Sequence, residues 1–379
     1  MTAKVSGLTV MVIYPHLPHY RYGVFRELAN SRNRYEFVAD QTSRDGSIPT
    51  VPPEMVENYT PVRNLWIGPL LWQRRVVAKI VRRRPAAVIF LAHGSYMSTW
   101  VGALVARALG IKVLFWTIGW HRPETGVRRL FRLTFYRLAD RLLLYGETGR
   151  DIGVAMGFPR DRLSVIRNSA ESSERVADVA EHELERFIKL LPDGRRPVLT
   201  AVIRLNQVKR LDLLILAASQ LCERGRPVDV LLVGDGPDAP SLAELAVQHG
   251  VSLHMPGMAY SQLQLARVYS VTTMTVVPRA AGLTVIQSLA FGRPVVTTDD
   301  AYTQMPEFEA IVPGVTGDLF TGDDPTDLAD VILDWIRRCE WSADTIAEEC
   351  RNVVEEAWSP SAHAQAIDEQ VDLIVRSAS

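Results

Sequence analysis

Short runs of apolar residues alternate with amphipathic stretches through the first half of the chain. The apolar runs are LTVMVIYPH, YEFVAD, AAVIFLA, KVLFWTIG and RLLLYG, and amphipathic segments such as YGVFRELANS lie between them. This alternation predicts strands and helices in turn, and therefore a parallel sheet with helices on both faces. Continuous apolar strands are typical of such sheets, because both faces are covered.

The same alternation restarts in the second half, after the Pro- and Gly-containing segment LPDGRRP. Its strand-like runs are PVLTAVIRL, VDVLLVGDG, SLHMPG, TMTVVPR and PVVTTDD. The pattern predicts an α/β protein of two doubly wound domains, residues 1–190 and residues 191–357, which face each other across an interdomain cleft. Ligands of such sheets bind beyond the carboxyl ends of the strands.

The composition agrees with a globular chain of two domains. Of its 379 residues, 47% are hydrophobic and 22% are charged, and a chain of this length buries its cores without disulfide staples. The three cysteines show no metal-ligand spacing and suit a reducing cytoplasm. The apolar run near the N-terminus is too short for an ordinary signal sequence.

One stretch, residues 85–106, carries no Asp, Glu, Lys or Arg and resembles a membrane span in that respect. The polar segment HGSYMS interrupts it. We therefore expect a buried strand, a polar loop and a helix in this stretch rather than a spanning helix.

Charge is distributed unevenly between the two halves. Residues 1–170 hold 25 basic and 11 acidic residues, whereas residues 171–379 hold 17 and 32. Many basic residues fall in two predicted helices, LWQRRVVAKIVRRRP and VRRLFRLTFYRLA. Arg and Trp on apolar-faced helices suit an anionic membrane surface, and a solvated helix face is the alternative. We expect a cytoplasmic protein, peripheral on the inner face of the membrane.

Nucleic acid is the rival partner for the basic half. The chain contains no helix-turn-helix, zinc-finger or RNA-module signature. We therefore expect no nucleic-acid partner.

The second half contains two groups of residues suited to a diphosphate. Arg204 and Lys209 follow the strand PVLTAVIRL, where an arginine fork and a lysine point charge can hold phosphates. Ala280–Thr284 follows TMTVVPR and opens a helix, whose free N–H groups favour an anion. The alternatives are solvated loop cations and an ordinary strand-to-helix turn. Gly234 lies in a tight turn that is not a dinucleotide fingerprint.

No metal site is expected. The pairs Asp299–Asp300 and Asp323–Asp324 have no histidine nearby and are typical of turns and helix caps. His16 and His19 lack a Cys or acidic partner for zinc.

Histidines of the first half lie in the loops that follow its strands. They are His16 and His19 in PHLPHYRY, His93 in LAHGSYMS and His121 in IGWHRP. Such loops meet at the carboxyl edge of a parallel sheet, so these side chains are candidates to touch a substrate hydroxyl. A lone loop histidine is more often inert.

An ordered set of motifs resembles the family 4 retaining glycosyltransferases. In the second half these are RLNQVK, LLVGDGPDAPSLAELA, VPRAAGLTVIQSLAFGRPVV and MPEFEAIVPGVTGDLF; in the first, HYR, ADRLLLYGETG and LSVIRNSA. The resemblance covers nearly the whole chain. It implies a GT-B fold with an acceptor domain first and a nucleotide-sugar donor domain second, no metal, and no cofactor besides the donor as co-substrate. It also implies that the final helices, residues 358–379, return to the first domain.

The resemblance assigns roles by position. Arg204 and Lys209 bind the donor diphosphate, and backbone around Ala281, Gly282, Leu283 and Thr284 meets the phosphates and the sugar. Gly234 and Pro256, in the SLHMPG loop, lie near the base. His121, with His93 as second candidate, is the expected histidine near the reacting centre. We assign acceptor contacts to His19, Tyr20, Arg21 and Ser95.

The chain departs from the family pattern at two positions. The family carries two glutamates, which fall here on Arg279 and Gln287. An amide oxygen still accepts hydrogen bonds from ribose hydroxyls, whereas Arg279 reverses the charge beside the donor sugar. An acidic donor sugar is one hypothesis for this arginine.

The expected function is retaining transfer of a sugar from a nucleotide diphosphate sugar to a glycan or glycolipid, lipid-linked in view of the basic helices. Two alternatives remain open. One is a non-catalytic GT-B subunit that activates a partner transferase, and the other is a nucleotide-sugar epimerase or hydrolase.

Overall fold

The computed structural model describes residues 7–44, 49–170, 181–259 and 261–376. The chain divides into two compact units, residues 1–171 with 359–379, and residues 172–358. Each unit is built on a parallel sheet with helices. The prediction of two Rossmann-like α/β domains is confirmed.

The first unit contains a seven-stranded sheet. Its strands are β1 (Thr9–His16), β2 (Arg34–Asp40), β3 (Tyr59–Pro61), β6 (Ala87–Leu91), β7 (Lys112–Thr117), β8 (Arg141–Leu144) and β9 (Leu163–Val165). They lie in the order β3-β2-β1-β6-β7-β8-β9, and neighbouring strands are parallel. The direction in which strands are added reverses between β1 and β6.

Helices cover both faces of this sheet. They are α1 (Tyr22–Ala29), α2 (Val76–Arg83), α3 (Met97–Ala108), α4 (Gly126–Tyr136), α5 (Glu147–Ala155) and the C-terminal α12 (Pro360–Arg376). Alternate residues of β1 enter two different cores, since Met11 and Ile13 pack with α2 to α5, while Val10 and Val12 pack with α1 and α12. This explains why the strand is apolar at every position.

A small antiparallel hairpin corrects one prediction. The segment LWQRRVVAKIVRRRP was expected to be one helix, but its first residues belong to β5 (Leu70–Gln73), which pairs with β4 (Asn64–Ile67). Gly68 makes the turn with a φ of +55°. The helix begins only at Val76, because Leu71 and Gln73 alternate with exposed residues as in a strand and are buried.

The second unit contains a six-stranded sheet. Its strands are β10 (Val198–Val202), β11 (Asp229–Val233), β12 (Ser252–Gly257), β13 (Met274–Val276), β14 (Val295–Thr298) and β15 (Gly317–Phe320). The order is β12-β11-β10-β13-β14-β15, again with parallel neighbours. The reversal of order falls between β10 and β13.

The helices of the second unit include a long C-terminal one. They are α6 (Glu181–Ile188), α7 (Leu211–Glu223), α8 (Ala239–Gln248), α9 (Gln262–Val271), α10 (Leu283–Ala290) and α11 (Pro325–Val353). The boundary differs from the predicted one at residue 190: α6 belongs to the second unit because Phe187 packs with Val198, Leu231 and Val268. The predicted helix over residues 173–190 lies partly outside the described residues.

The residues beyond 358 belong to the first unit. Asn33 Nδ2 donates to Asp368 Oδ1 at 2.7 Å and to Asp372 Oδ1 at 3.1 Å, and Tyr35 Oη donates to Asp368 Oδ1 at 2.9 Å. Arg32 forms ion pairs with both carboxylates. These buried polar contacts hold α12 on the edge of β2.

The uncharged stretch near the middle of the first unit has the structure expected from its sequence. Residues 85–106 form β6, a polar loop and the start of α3, and no helix in the described ranges is long and apolar enough to cross a membrane. Cys339 and Cys350 lie in α11 as free thiols, and burial raises the pKa of Cys350 to about 12.

We predict that Asn33→Leu destabilises the docking of α12 by about 3 kcal/mol, because two nearly buried carboxylates lose their amide donor. Hydrogen exchange of residues 360–376 measures this, since local opening reports on the detached helix. Tyr35→Phe, which removes a single donor, is expected to cost about half as much. Unchanged protection of α12 in Asn33→Leu would contradict the prediction.

Candidate functional site

The carboxyl ends of β10 and β13 bring two loops of the second unit together. The two strands are hydrogen-bonded neighbours at the point where the strand order reverses. Their following loops therefore diverge on opposite sides of the sheet and leave a crevice, which is where open α/β sheets bind ligands. The predicted donor residues Arg204, Lys209 and 279–284 lie in these two loops.

Lys209 joins the loops directly. Its Nζ donates to the carbonyl oxygen of Ala280 at 2.6 Å, and the backbone N–H of Arg279 donates to the carbonyl of Lys209 at 3.2 Å. Burial lowers the pKa of Lys209, and the carboxylate of Glu307 opposes that shift. The ammonium is thus held at the turn with two further protons available to an anion.

Arg204 is differently placed. It follows β10 but is exposed, and within the described ranges its guanidinium has no recorded hydrogen bond or ion pair. An exposed guanidinium in the same loop as Lys209 is a planar fork suited to binding a phosphate.

The turn before α10 requires its glycine. Gly282 adopts a φ of +60° with a ψ of −150°, a backbone region that is essentially restricted to glycine. Leu283 and Thr284 open the helix, so their N–H groups precede the first intrahelical bonds. This end of α10 offers hydrogen-bond donors and a positive dipole to a phosphate.

A glutamine that the sequence analysis missed holds this turn in place. Gln304 is 4% exposed, and its Oε1 accepts from the N–H of Ala281 at 3.2 Å. Its Nε2 donates to Thr297 Oγ1 at 2.6 Å and to the carbonyl of Thr298 at 3.1 Å. The amide therefore ties the turn to the end of β14. Only tertiary contacts identify it, since a lone glutamine in a polar loop gives no sequence signal.

Gly234 packs closely against a neighbouring strand end, which its sequence context did not indicate. It has a φ of +148°, and a Cβ there would lie 1.9 Å from the carbonyl oxygen of Ile203. Its N–H donates to Gly257, which places it beside the end of β12. Pro256, expected in a loop, lies in β12 itself, because its segment pairs with β11.

Arg279 has a carboxylate partner within the chain. Its Nη2 lies 2.8 Å from Asp323 Oδ2, and Arg210 Nη1 lies 2.6 Å from the same oxygen. Arg279 thus has a counter-charge within the chain, and the acidic-sugar hypothesis stays a prediction. The pairing also gives Asp323 a structural function, as expected of an aspartate in a turn.

Gln287, at the second glutamate position, is also engaged. Tyr269 Oη donates to its Oε1 at 3.3 Å. Tyr269 is buried, and burial raises its pKa well above 10. A neutral amide beside a buried phenol avoids the desolvation that a carboxylate would suffer there, and it keeps Nε2 available for a ligand oxygen.

The first unit contains a cavity of about 960 Å³. It lies where the loops after β1, β6 and β7 meet, at the reversal of strand order between β1 and β6. The predicted residues Tyr20, Arg21, His93, Ser95 and His121 all line it, together with His16. His19 does not line it and instead contacts the carbonyl of Pro49 through Nδ1 at 3.2 Å.

The two candidate histidines are neutral at pH 7. Partial burial and the cation of Arg132 lower the pKa of His93, and the same causes with Arg122 lower the pKa of His121. His93 Nδ1 lies 2.7 Å from Ser95 Oγ, whereas His121 has no recorded hydrogen bond in the described ranges. His121 is therefore the better placed to accept a bond from a ligand hydroxyl.

Aromatic rings surround Arg21 at the inner wall of the cavity. The side chain is nearly buried, lies over the rings of Trp116 and Tyr145 at 5.1 and 5.0 Å, and donates from Nη2 to Tyr145 Oη at 2.5 Å. Cation–π contacts stabilise a buried guanidinium in this position. Arg132, which sequence reasoning did not select, is held by Glu124 through two bonds of 2.6 and 2.8 Å.

No metal centre is evident. Among the residues that the structure describes, no group of three or more His, Cys, Asp or Glu side chains is placed to hold a metal ion.

Comparisons with known proteins identify the relatives of this chain. Residues 196–338 match the family model Glycosyl transferases group 1. The chain is 24% identical over 273 residues to Alpha-D-kanosaminyltransferase of Streptomyces kanamyceticus, covering 66% of this chain and 70% of the relative. It is 32% identical over 177 residues to D-inositol 3-phosphate glycosyltransferase of Gordonia bronchialis, covering 42% of this chain and 38% of the relative.

A solved structure shares the fold. The Anabaena protein Alr3699/HepE, in complex with UDP, superposes with a TM-score of 0.69 at 16% identity, over 97% of this chain and all of that chain (100%). The chain is therefore similar to glycosyltransferases over part of its length, and it shares the GT-B type of fold with the solved structure.

Proposed function

We propose that the protein is a retaining glycosyltransferase that moves a sugar from a nucleotide diphosphate sugar to a lipid-linked glycan or glycolipid. The observation that carries the proposal is the meeting of Lys209 with the Ala280 carbonyl at the start of α10. It joins a cation to a helix N-terminus in one crevice, an arrangement that suits a diphosphate. The structural relative HepE was solved with UDP, which supports a nucleoside diphosphate as the leaving group.

The proposed chemistry is electrostatic. The bond from the sugar to the diphosphate oxygen breaks, and negative charge grows on the leaving phosphate. Lys209, Arg204 and the N–H groups at the start of α10 stabilise that charge. The acceptor hydroxyl attacks from the same face and passes its proton to the leaving phosphate, so that no metal and no further cofactor takes part.

The first-unit cavity is proposed to receive the acceptor. Its histidines are neutral, and neutral imidazole accepts a hydrogen bond from a sugar hydroxyl. Arg21 and the aromatic walls suit an acceptor with polar and apolar parts. We propose that the protein works in the cytoplasm, peripheral on the inner face of the membrane, where lipid-linked acceptors are presented.

The function is tested with purified protein, a panel of nucleotide sugars and a lipid-linked acceptor extract. We expect nucleoside diphosphate release from one donor only when the acceptor is present, and a product that keeps the anomeric configuration by NMR. Release without acceptor would favour an epimerase or hydrolase. Absence of both release and nucleotide binding would favour a non-catalytic subunit.

Lys209→Ala is predicted to lower kcat by about 10² to 10³-fold, because one preorganised cation at the leaving group is lost. The rate of diphosphate release measures this. Lys189→Ala, an exposed lysine of the same unit, is the matched control and is expected to act as wild type. Wild-type turnover in Lys209→Ala would remove the assigned role.

Activity is predicted to have an acid limb set by His121. Its pKa is lowered from 6.5, so the neutral form persists at pH 7 and is lost only as the pH falls through the folded-state value. We expect kcat/KM for the acceptor to be level above pH 6.5 and to fall below it. His121→Gln is expected to cost about 10² in rate and to remove this limb.

The control is His249→Gln, an exposed histidine of the second unit, which should keep the wild-type profile. If the limb survives in His121→Gln and disappears in His93→Gln, His93 is the residue that titrates.

A further inference from the structure

An exposed apolar surface borders the cavity of the first unit. Hydrophobic side chains that normally pack inside a protein lie here at high exposure, among them Ile67 (76%), Val127 (83%) and Leu130 (64%). We call this surface the apolar rim and define it by residues of the β4–β5 hairpin, α3 and α4: Ile67, Leu70, Val101, Leu104, Val127 and Leu130.

The three elements that carry the rim adjoin one another. The hairpin adjoins the start of α3, because the N–H of Leu71 donates to the carbonyl of Ser95 and the Trp66 ring lies 6.1 Å from the Tyr96 ring. On the other side, Trp100 of α3 packs on Phe131 of α4, with ring centroids 5.4 Å apart. Three elements therefore present one surface.

Helical spacing shows that the exposure is regular. In α4, Val127 and Leu130 lie three residues apart on one face, while Leu133 and Tyr136 are buried in the core. The apolar side chains of α4 are thus buried near its C-terminal end, whereas those near its N-terminal end have no covering element in the described part of the unit. A contiguous apolar surface of this kind marks an interaction site.

Charge identifies the partner. Residues 58–139, which contain the whole rim, hold fourteen Lys or Arg and a single acidic residue, Glu124. That glutamate is committed to Arg132. Exposed Arg74 and Arg75 follow the rim residue Leu70 closely in the chain. Exposed Arg128 directly follows the rim residue Val127. Exposed apolar side chains edged by cations match a bilayer with anionic headgroups, in which the chains enter the acyl boundary and the cations meet phosphates.

The rim also leads into the cavity. Leu70, Tyr96, Arg128 and Phe131 line the cavity wall, and Leu70 belongs to the rim as well. A lipid-linked acceptor in a bilayer seated on the rim therefore reaches the cavity without crossing water.

We propose that the apolar rim docks the first unit on an anionic lipid bilayer beside the mouth of this cavity. Of the two basic helices that the sequence suggested for a membrane surface, the rim contains α4 but not α2, because Val76 and Ile80 of α2 are buried in the core. The supply of a lipid-linked acceptor through the rim rests on the proposed function, whereas docking itself does not.

The test is sedimentation with vesicles of phosphatidylcholine, with and without about 30% phosphatidylglycerol. The full chain is expected to bind the anionic vesicles, with binding that weakens as salt is raised. Val127→Asp is expected to lower the partition coefficient about tenfold or more, because a charge then faces the acyl boundary. An aspartate in the first turn of α4 is compatible with the helix.

The matched control is Val247→Asp on α8 of the second unit, where the valine is 82% exposed. It should bind vesicles as wild type. Equal loss in both variants, wild-type binding by Val127→Asp, equal binding to neutral and anionic vesicles, or no binding at all would overturn the proposal. So would a dimer in solution that Val127→Asp dissociates, since a second copy would then cover the rim.

Binding is measured without donor or acceptor, so its failure is distinct from failure of the function. Vesicle binding without sugar transfer would overturn the proposed function and leave the rim in place. Transfer to a detergent-solubilised acceptor without vesicle binding would overturn only the proposal that the rim docks on a bilayer.

Discussion

The hydrogen bond from Lys209 Nζ to the carbonyl of Ala280 joins the two loops that form the crevice of the second unit. It exists because β10 and β13 are neighbours in the sheet although 71 residues separate the two bonded residues. Ala280 has a positive φ and Gly282 a glycine-only conformation, so the turn is strained and needs support. Lys209 supports it from one side and Gln304 from the other.

The same topological constraint builds the cavity of the first unit. There the reversal lies between β1 and β6, and the loops that follow those strands carry Tyr20, Arg21, His93 and Ser95. Parallel strands place all their carboxyl ends at one edge, which is why residues far apart in sequence line one space. The aromatic packing around Arg21 then allows a guanidinium to remain where water is largely excluded.

Arg279 and Gln287, at the positions where the resemblance led us to expect glutamates, each have a partner in the structure. Arg279 is matched by Asp323, which Arg210 also contacts, and Gln287 is matched by the phenol of Tyr269. Each side chain therefore has a partner of matching polarity. The charge of Arg279 faces a counter-charge, and the neutral amide of Gln287 faces a neutral donor. The motif positions could be read from the sequence, but their partners could not, because Asp323 and Tyr269 lie 44 and 18 residues away.

The sequence by itself determined the two α/β units, the strands and the loops that carry Arg204, Lys209, His93 and His121, because alternation of apolar runs and helical periodicity is a local signal. Only the tertiary structure decided that Leu70–Gln73 is a strand, that α6 packs with the second unit, and that His19 turns away from the cavity. It also decided which apolar faces stay uncovered, as on α4. Burial depends on what the rest of the chain places against a segment, and a local pattern does not contain that information.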